Sequence, residues 1–420
     1  MKQQLEFPDP RSLFPPGRGP GLERLEDFVP RSGRHYAATR NFDPGPGPRS
    51  NVSMLSPYIR HRLITEREVV EAVLRQHAPA TAEKFIQEVL WRSYWKGWLQ
   101  MRPQVWRAFL AERDADRVQV EGNSGVQTAL TEAEEGRTGI ACFDDWAREL
   151  VATGYLHNHA RMWFASIWIF TLNLPWALGA DFFLRHLIDA DPASNTLGWR
   201  WVAGIQTRGK TYLARPGNIA RYTDSRYSAD ELGRQLATEA APIRDETPPR
   251  AAGVARADRI PTGQPALLLL HGDDLSGTGA LPPACEIASI VVAGSGHESA
   301  PWPFGDKASD FVARAAEETA GRVGEELDRD AAVVGAIDAD ELIERARAVD
   351  VELVVTPEAP VGPVADALDA VEPALDNAGV KLRRARRDWD DAAWPHATRG
   401  FFPFKKKIPE LLERAGLIDR

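Results

Sequence analysis

Hydrophobic positions divide the chain into two parts with different periodicities. From Leu55 to about Ala220, apolar residues recur at the three- and four-residue spacing of amphipathic helices, and no alternating strand pattern interrupts them. Here HRLITEREVVEAVLRQ predicts a helix with Thr65 as N-cap and Glu68 completing a capping box. The stretches ATAEKFIQEVLWRSYWKGWL and GIACFDDWARELVATGYLHN predict two more helices. Residues 1–50 are rich in Pro, Gly and Arg, which predicts an irregular lead-in and a loop.

The second part alternates short apolar runs with amphipathic helices. The runs are PALLLLHG, ASIVVAGSG, AAVVGAI, VELVVTP and VKLRRAR, and DADELIERARAV predicts a helix capped by Asp338 or Asp340. This alternation predicts a parallel α/β sheet. The predicted organisation is an all-helical domain over 1–245, a polar linker over 246–263 and a Rossmann-like α/β domain over 264–420.

One uncharged stretch, residues 163–180, reaches the length of a membrane-span candidate. Asn173 and Pro175 lie within it, and Asp181 and Arg185 follow at once. We therefore expect two buried helices with a break near Pro175, and no membrane partner.

Composition narrows the class of protein. The 420 residues include two Cys, Cys142 and Cys285, too few for a disulfide framework or a Cys-based zinc or iron–sulfur site, so no metal centre is predicted. The N-terminus has no apolar signal-peptide core, and we expect a cytoplasmic protein.

Charge and tryptophan are unevenly distributed. Residues 251–420 hold 19 Lys and Arg against 30 Asp and Glu, a net charge of −11, whereas the first 250 residues have a net charge of +2. Ten of the 13 Trp also lie in those first 250 residues. Any phosphate-binding face is therefore expected in the first part.

Candidate chemistry is concentrated in four motifs. LIDADPASNTLGWRW places two carboxylates, an Asn and two Trp within 13 positions, and alone it would indicate a polar loop with Trp anchoring a core. LHNHARMW brings His157, Asn158 and Arg161 into one and a half helical turns. EVLWRSYW puts Glu88 and Arg92 on one helical face, and SMLSPYI offers hydroxyl groups before a helix start, suited to phosphate.

Together and in this order, the motifs resemble the photolyase/cryptochrome family over about residues 20–225, which correspond to its all-helical flavin-binding domain. The resemblance implies FAD as cofactor. It places Tyr36, Ser53, Leu55 and Ser56 near the FAD diphosphate, although Val52 stands where the family usually has a hydroxyl residue.

The resemblance also assigns residues around the flavin ring. Arg92 and Asp189 match the pair flanking the isoalloxazine, Asp191 lies near its polar edge, and Asn158 holds the adenine folded over the flavin. Asn195 falls beside flavin N5, where an Asn can hydrogen-bond but cannot readily give a proton. That choice favours the photolyase branch.

Further matches concern the lesion and DNA. Glu88, Trp91 and Met162 match the family's pocket for a flipped-out pyrimidine dimer, where Trp91 would stack on bases. Trp91, Trp201 and Arg161 are the candidate DNA contacts. The alternative is that Trp91 and Met162 are core residues.

The tryptophan surplus fits the family's electron-hopping chain, with Trp199 proximal to the flavin and Trp176 in the middle. The usual distal Trp is missing, because that segment is DRVQVEGNSGVQTAL. The chain then ends through Trp163, Trp168 or Trp106, or photoreduction is weak. For these three Trp, core packing is an equal alternative.

Two differences from the family concern the expected binding partners and the domain order. His159 stands where photolyases commonly have a phosphate-binding Arg, and the basic patch at Arg399 and 405–407 is by default a solvated surface.

The α/β pattern follows the flavin part, so the chain resembles a photolyase with its two domains in reversed order; an unrelated fused Rossmann-like domain is the alternative. A folate or deazaflavin antenna is conceivable there but unsupported.

The sequence thus favours an FAD enzyme, a deoxyribodipyrimidine photo-lyase, that repairs cyclobutane pyrimidine dimers in damaged DNA by blue-light-driven electron transfer. The alternative is a cryptochrome-like photoreceptor with little or no repair. A third possibility, a plain flavoprotein redox partner, has no specific support.

Overall fold

The computed structural model of the chain describes residues 7–47, 49–244, 247–294 and 305–419. The predicted boundary at 245–246 and the end of ASIVVAGSG, residues 295–296, lie outside these ranges. The first half of the helices are α1 (Pro10–Leu13), α2 (Arg18–Phe28), α3 (Arg34–Thr39), α4 (Ser56–Arg60), α5 (Glu66–Gln76), α6 (Pro79–Gln100), α7 (Pro103–Glu121), α8 (Ser124–Glu134), α9 (Ala141–Thr153) and α10 (Asn158–Ser166). The others are α11 (Trp176–His186), α12 (Pro192–Val202), α13 (Pro216–Tyr222), α14 (Ala229–Gln235), α15 (Asp306–Leu327), α16 (Ala339–Ala348), α17 (Pro363–Asn377), α18 (Asp388–Ala393), α19 (Phe401–Lys405) and α20 (Ile408–Arg414). The strands are β1 (Pro265–His271), β2 (Glu286–Ala293), β3 (Ala331–Val334), β4 (Leu353–Pro357) and β5 (Lys381–Ala385).

The helices predicted from periodicity are confirmed. At the start of α5, Thr65 accepts a hydrogen bond from the backbone N–H of Glu68, whose side chain accepts one in return, so both halves of the capping box are present. Helix α9 ends at Thr153, before the end of the predicted stretch at Asn158, because Gly154 adopts a left-handed φ of 67°.

The prediction of an irregular lead-in is wrong for much of residues 1–50. Helices α1, α2 and α3 lie there, and α2 buries Leu25 and Phe28 against the rest of the helical part. A Cβ on Gly21 would lie 3.0 Å from the Tyr58 ring, so this glycine permits α2 to approach α4 closely. Tertiary packing therefore outweighs the low helix propensity of the Gly- and Pro-rich sequence.

The uncharged stretch forms two buried helical segments, as predicted. Helix α10 continues into a π-helical turn, Ile167–Thr171, and α11 begins at Trp176, directly after Pro175. Within the described ranges, no helix is both long enough and apolar enough to cross a bilayer.

The predicted parallel sheet is confirmed, with five strands in the order β3-β2-β1-β4-β5. The cap of α16 is Asp338, which accepts a hydrogen bond from the backbone N–H of Glu341 at 3.0 Å. Between β1 and β2 the chain makes only a 3-10 turn, Thr278–Ala280.

Strand β1 separates two apolar layers. Leu268 and Leu270 belong to a core that continues into the helical part, whereas Leu267 and Leu269 belong to a second core shared with α16 and α17. This alternation follows from the two-residue period of a strand. The first core joins the sheet to the helical part.

After the sheet the chain returns to the helical part, where α18 and α19 pack on α6 and α20 packs on α18. The contact depends on Gly97, because a Cβ there would lie 2.7 Å from the Cα of Trp394. Trp394 is itself completely buried.

Arg60, the last residue of α4, and Arg62, two residues later, form ion pairs with aspartates of the α/β part. Arg60 pairs with Asp273 at 2.5 Å and Arg62 with Asp274 at 3.2 Å, and all four side chains are buried. We call these four residues the arginine clamp. Buried charges require such partners, since an isolated ion in a protein interior is costly.

His61, which lies between the two arginines, is hydrogen-bonded to the same loop of the α/β part. His61 Nδ1 lies 2.5 Å from the carbonyl oxygen of Gly272, and the N–H of Leu275 donates to the carbonyl of His61 at 2.9 Å. On its other side, His61 Nε2 lies 3.2 Å from the carbonyl of Ile188, in the loop before α12. This histidine therefore lies between the α/β part and that loop.

The clamp extends toward the C-terminus. Asp390 accepts a hydrogen bond from Arg62 at 2.5 Å, and Arg387 donates to both carboxylate oxygens of Asp274, at 2.6 and 2.8 Å. Burial tends to raise the pKa of Asp274, but Arg387 and Arg62 outweigh it and hold that pKa well below its usual range.

Removing one clamp charge should destabilise the whole fold. We expect Asp274→Asn to lower the free energy of unfolding by about 3 kcal/mol, because it leaves Arg62 and Arg387 short of a buried counter-charge. Denaturant unfolding followed by far-UV circular dichroism measures this. The matched control is Asp376→Asn, which breaks a half-exposed pair with Lys381 and should cost about 1 kcal/mol or less. Equal losses in the two variants would contradict the role given to the clamp.

Candidate functional site

The site is built on the loop between α11 and α12 and on the first turns of α12. Asp191 is the N-cap of α12 and accepts a hydrogen bond from the N–H of Ser194 at 2.8 Å. Its other oxygen lies 3.2 Å from Arg92 Nη1 on α6. Capping and ion pairing together fix one carboxylate at the start of a helix.

The second carboxylate of the loop has its own arginine. Arg161 on α10 donates from Nη2 to both oxygens of Asp189, each at 3.0 Å, and from Nε to the carbonyl of Leu156 at 2.8 Å. The resemblance paired Arg92 with Asp189, whereas the structure pairs Arg92 with Asp191. Arg161, a candidate DNA contact from sequence, is thus bonded to Asp189 here.

Both carboxylates are kept ionised by surrounding cations. Burial alone would raise the pKa of Asp191, but Arg92, Lys96 and Arg60 lower it far below the usual range for an aspartate. For Asp189, burial is likewise outweighed, first by Arg161, and its pKa is lowered. The pair of carboxylates is therefore a fixed double negative charge at neutral pH.

Arg60 and Lys96 were not identified from the sequence. Arg60 donates from Nε to the carbonyl of Ala190 at 3.2 Å, between the two aspartates, while its guanidinium also pairs with Asp273. Lys96 is buried 3.7 Å from Glu66. Lys96 follows Arg92 by one helical turn, so periodicity could have indicated it, but nothing local marks Arg60.

Helix α12 presents a distinct face beyond these charges. Asn195 donates one N–H of Nδ2 to the carbonyl of Ala180 at 2.8 Å, which leaves its Oδ1 as acceptor and its second N–H as donor for a ligand. One turn later, a Cβ built on Gly198 meets no atom within 4 Å, so the helix is open there. Trp201 lies a further turn along the same face and stacks on Tyr212 at a centroid distance of 5.2 Å.

The residues expected near a diphosphate are gathered at the start of α4. Ser56 is the first residue of α4 and bonds to Asp189, and the hydroxyl of Ser53 accepts weakly from the N–H of Leu55 at 3.4 Å. Leu55 and Tyr36 are buried, with Tyr36 edge-on to an α6 phenyl ring. These groups therefore lie beside the aspartate loop.

Asn158 is exposed at the first position of α10. Its neighbour His157 caps that helix by accepting from the N–H of His159 at 3.2 Å. Among the described residues, the buried Nε2 of His157 has no hydrogen-bond partner. Burial and Arg40 lower the pKa of His159 to about 4, so this residue is neutral near pH 7.

The three residues expected to bind a pyrimidine dimer lie on α6 and α10, and two have intramolecular partners. Glu88 is ion-paired with Arg40, both about one-third exposed. Trp91 stacks face-to-face with Phe401 of α19, with centroids 3.6 Å apart and an interplanar angle of 11°. Met162 is half-buried. Arg40 and Phe401 were not identified from the sequence, because the contacts join distant segments.

The two tryptophans of the expected electron path lie on adjacent helices. Trp199 of α12 is buried, and in the described structure its Nε1 has no hydrogen-bond partner. A Cβ on Gly179 of α11 would lie 2.4 Å from the Trp199 ring, so this glycine allows the indole to lie against α11, one turn after Trp176. The indole of Trp168 meets Trp199 edge-on at 6.1 Å but is completely buried.

The site therefore offers a planar, partly charged molecule both polar and apolar contacts on α6 and α12. Its features are a carboxylate–arginine pair at one end, the open position at Gly198, and a free acceptor on Asn195. Trp199, with its unpartnered indole nitrogen, lies next along α12.

Comparison with known proteins agrees with this geometry. Residues 85–231 match the family described as the FAD binding domain of DNA photolyase. A deoxyribodipyrimidine photo-lyase of Alkalihalophilus pseudofirmus is 32% identical over 204 residues, which is 47% of this chain and 40% of that protein. The Escherichia coli deoxyribodipyrimidine photo-lyase is 28% identical over 206 residues, or 48% and 42% of the two chains.

Among solved structures, a Synechocystis cryptochrome aligns with a TM-score of 0.42 and 26% identity, covering 56% of this chain and 47% of that one. The chain spans less than half the length of the curated relatives it matches.

Residues 85–231, within the helical part, therefore match the FAD binding domain of DNA photolyase. Over about half of its length the chain is similar to proteins of the photolyase/cryptochrome family.

Because these aspartates are ionised in the folded chain, the free energy of unfolding depends on pH. Because the pKa of Asp189 is lower in the folded chain than its unfolded value of about 3.9, its contribution is present above that value and is lost as the pH falls through the folded pKa. We expect the free energy of unfolding of the wild type to fall more steeply below about pH 4 than that of Asp189→Asn. Urea titrations at several pH values measure both slopes. Parallel slopes would show that Asp189 is not held ionised by Arg161.

Proposed function

We propose that this chain binds FAD against α12, beside Arg92 of α6, and uses blue light to repair cyclobutane pyrimidine dimers in DNA. When bound, the flavin supplies light absorption and one-electron transfer chemistry. The protein's part is to hold the ring, to place the lesion beside it and to exclude competing proton transfer.

The observation that carries the proposal is the face of α12. Asn195, the open position at Gly198 and the indole of Trp199 follow one another along the helix that Asp191 caps. This face can accept a flat ring, with the Arg92–Asp191 pair at its polar edge. The matched family supplies the identity of that ring, FAD.

Asn195 sets the proton chemistry of the site. One N–H of its amide is bonded to the carbonyl of Ala180, so it offers a ligand its acceptor oxygen and its second N–H. An amide can form hydrogen bonds but has no acidic proton to give. Asn195 would therefore hold a ligand atom by hydrogen bonding without protonating it.

Glu88 and Trp91 would receive the dimer. Trp91 offers an indole for stacking, and Glu88 can hydrogen-bond a pyrimidine and stabilise added negative charge once protonated or bridged. Here Glu88 is paired with Arg40, so dimer binding would exchange that pair for contacts with the lesion and leave Arg40 near the DNA backbone.

The flavin position can be blocked without damage to the fold. We expect Gly198→Leu to fold normally, because its Cβ meets no protein atom within 4 Å and leucine favours a helix over glycine by about 1 kcal/mol. The same side chain should occupy the open space beside Gly198 and lower FAD content at least tenfold. Absorbance of purified protein measures the flavin, and circular dichroism measures the fold.

The matched control is Gly233→Leu, an equally open glycine inside α14. This variant should retain wild-type flavin content. If Gly198→Leu also retains it, the flavin does not lie on this face of α12.

The repair activity is tested with an oligonucleotide containing one cyclobutane dimer, with the FAD-loaded chain under blue light. Absorbance recovery near the thymine maximum should occur in light and not in darkness. Glu88→Ala should slow repair roughly tenfold to hundredfold, because it removes one charge-assisted hydrogen bond to the lesion. Glu88→Gln, which keeps a hydrogen-bonding group, should recover part of that loss.

The control on the same helix is Glu83→Ala, which changes an exposed residue paired with Lys405 and should leave repair unchanged. Repair that is absent in the flavin-loaded wild type, or unaffected by Glu88→Ala, would remove the enzymatic proposal.

A cryptochrome-like photoreceptor is the second candidate, and two observations favour it. His159 is neutral near pH 7, so it adds no charge for DNA phosphates. Trp91 already has Phe401 stacked on one face. Bound, photoreducible FAD without dimer repair would support this candidate.

A further inference from the structure

The middle tryptophan of the expected electron path has a carboxylate on its indole nitrogen. Trp176 Nε1 donates to Glu112 Oε1 at 2.8 Å, and the Trp176 side chain is 3% exposed. Trp199, by contrast, has no partner for its indole nitrogen among the described residues. The two indoles therefore differ in whether an N–H proton can leave.

Glu112 lies on α7, beside the region in which the expected third tryptophan is missing. On that side Trp176 is followed by Phe109 at a centroid distance of 5.6 Å, and a phenyl ring is much harder to oxidise than an indole. Trp106 lies beyond Phe109, at 5.5 Å, and its own nitrogen bonds to Asp366. The ring in contact with Trp176 on the α7 side is therefore the phenyl ring of Phe109.

Glu112 also connects the buried indole to the surface. Arg244, which is partly exposed, donates to both oxygens of Glu112 at 2.7 and 2.5 Å. One helical turn further along α7, burial and the charge of Glu112 raise the pKa of Asp116 to about 6. A proton taken up by Glu112 therefore has an ionisable neighbour near solvent.

Resting on the proposed function, we propose that Glu112 is the proton acceptor that ends the electron path at Trp176. Oxidation converts an indole into a radical cation, whose N–H is far more acidic than that of the neutral ring. A carboxylate already bonded to that N–H can remove the proton. Proton loss then makes return of the electron from the flavin side unfavourable.

Proton transfer to Glu112 would follow the loss of one electron by Trp176. When bound, the photoexcited isoalloxazine would be the oxidant: it would take one electron from Trp199, which would regain one from Trp176. The Nε1–H bond of Trp176 breaks, and an O–H bond forms on Glu112. Trp176 is left as a neutral radical, which an external thiol reduces by one electron, and the proton returns from Glu112 or solvent.

The test follows tryptophan radicals in the FAD-loaded full chain by transient absorption after a blue flash. In the wild type we expect the longer-wavelength radical cation to convert into the neutral radical, more slowly in D2O. Glu112→Gln keeps an acceptor oxygen but cannot take up a proton, so conversion should slow at least tenfold. Glu121→Gln, an exposed carboxylate on the same helix, is the matched control and should behave as wild type.

A second measurement needs no flavin and no light. In the 15N–1H spectrum of 15N-tryptophan-labelled chain, the Trp176 indole peak, assigned by its loss in Trp176→Phe, should lie downfield because a carboxylate accepts its proton. Glu112→Ala should move this peak upfield and speed its exchange with water.

The two measurements separate the two proposals. Wild-type conversion kinetics in Glu112→Gln, or an indole peak unmoved in Glu112→Ala, would overturn the role of Glu112. Absence of bound flavin would overturn the proposed function and the redox step with it, while the indole spectrum would still report the Trp176–Glu112 contact separately.

Discussion

The structure depends on the neutralisation of two buried arginines. Arg60 and Arg62 are essentially inaccessible to water, and their counter-charges come from the loop after the first strand of the α/β part. Arg60 also bonds to the carbonyl between Asp189 and Asp191, so the same guanidinium reaches the site. The α/β part therefore supports the site loop through Arg60, independently of any ligand that the α/β part itself binds.

This arrangement connects charge and geometry in the site. Asp191 is at once the cap of α12, the partner of Arg92 and a neighbour of Lys96 and Arg60. Arg60 is also paired with Asp273, and Arg92 and Lys96 both lie on α6. Because these cations are held in place, the Asp191 carboxylate has little freedom to reorient. A pre-organised polar edge of this kind is what a site needs to hold a cofactor in one orientation.

The sequence predicted most of the regular elements, since periodicity, caps and β-branched runs act locally. Thr65 with Glu68, Asp338 and the break at Pro175 are examples in which a few neighbouring residues determine the outcome. Helix α2 was missed because its stability comes from packing rather than propensity.

In the site, residues within recognisable motifs could be named, but their partners could not. Arg92 was expected beside Asp189, and it pairs with Asp191 instead. The partners Arg40, Phe401 and Glu112 come from segments distant in sequence, and only the folded chain brings them to Glu88, Trp91 and Trp176. No local pattern encodes such contacts.

The arginine clamp also constrains the timing of folding during synthesis. Arg62 is made 212 residues before Asp274 and 328 residues before Asp390. At typical rates of about 5–20 residues per second, the ribosome adds the first of these counter-charges roughly 10–40 s after the arginine. During that interval the nascent helical part lacks two of the carboxylates that pair with Arg62, and Glu66 is the native partner already present. The helical part therefore reaches its final packing around Arg62 only after these segments of the α/β part have been added.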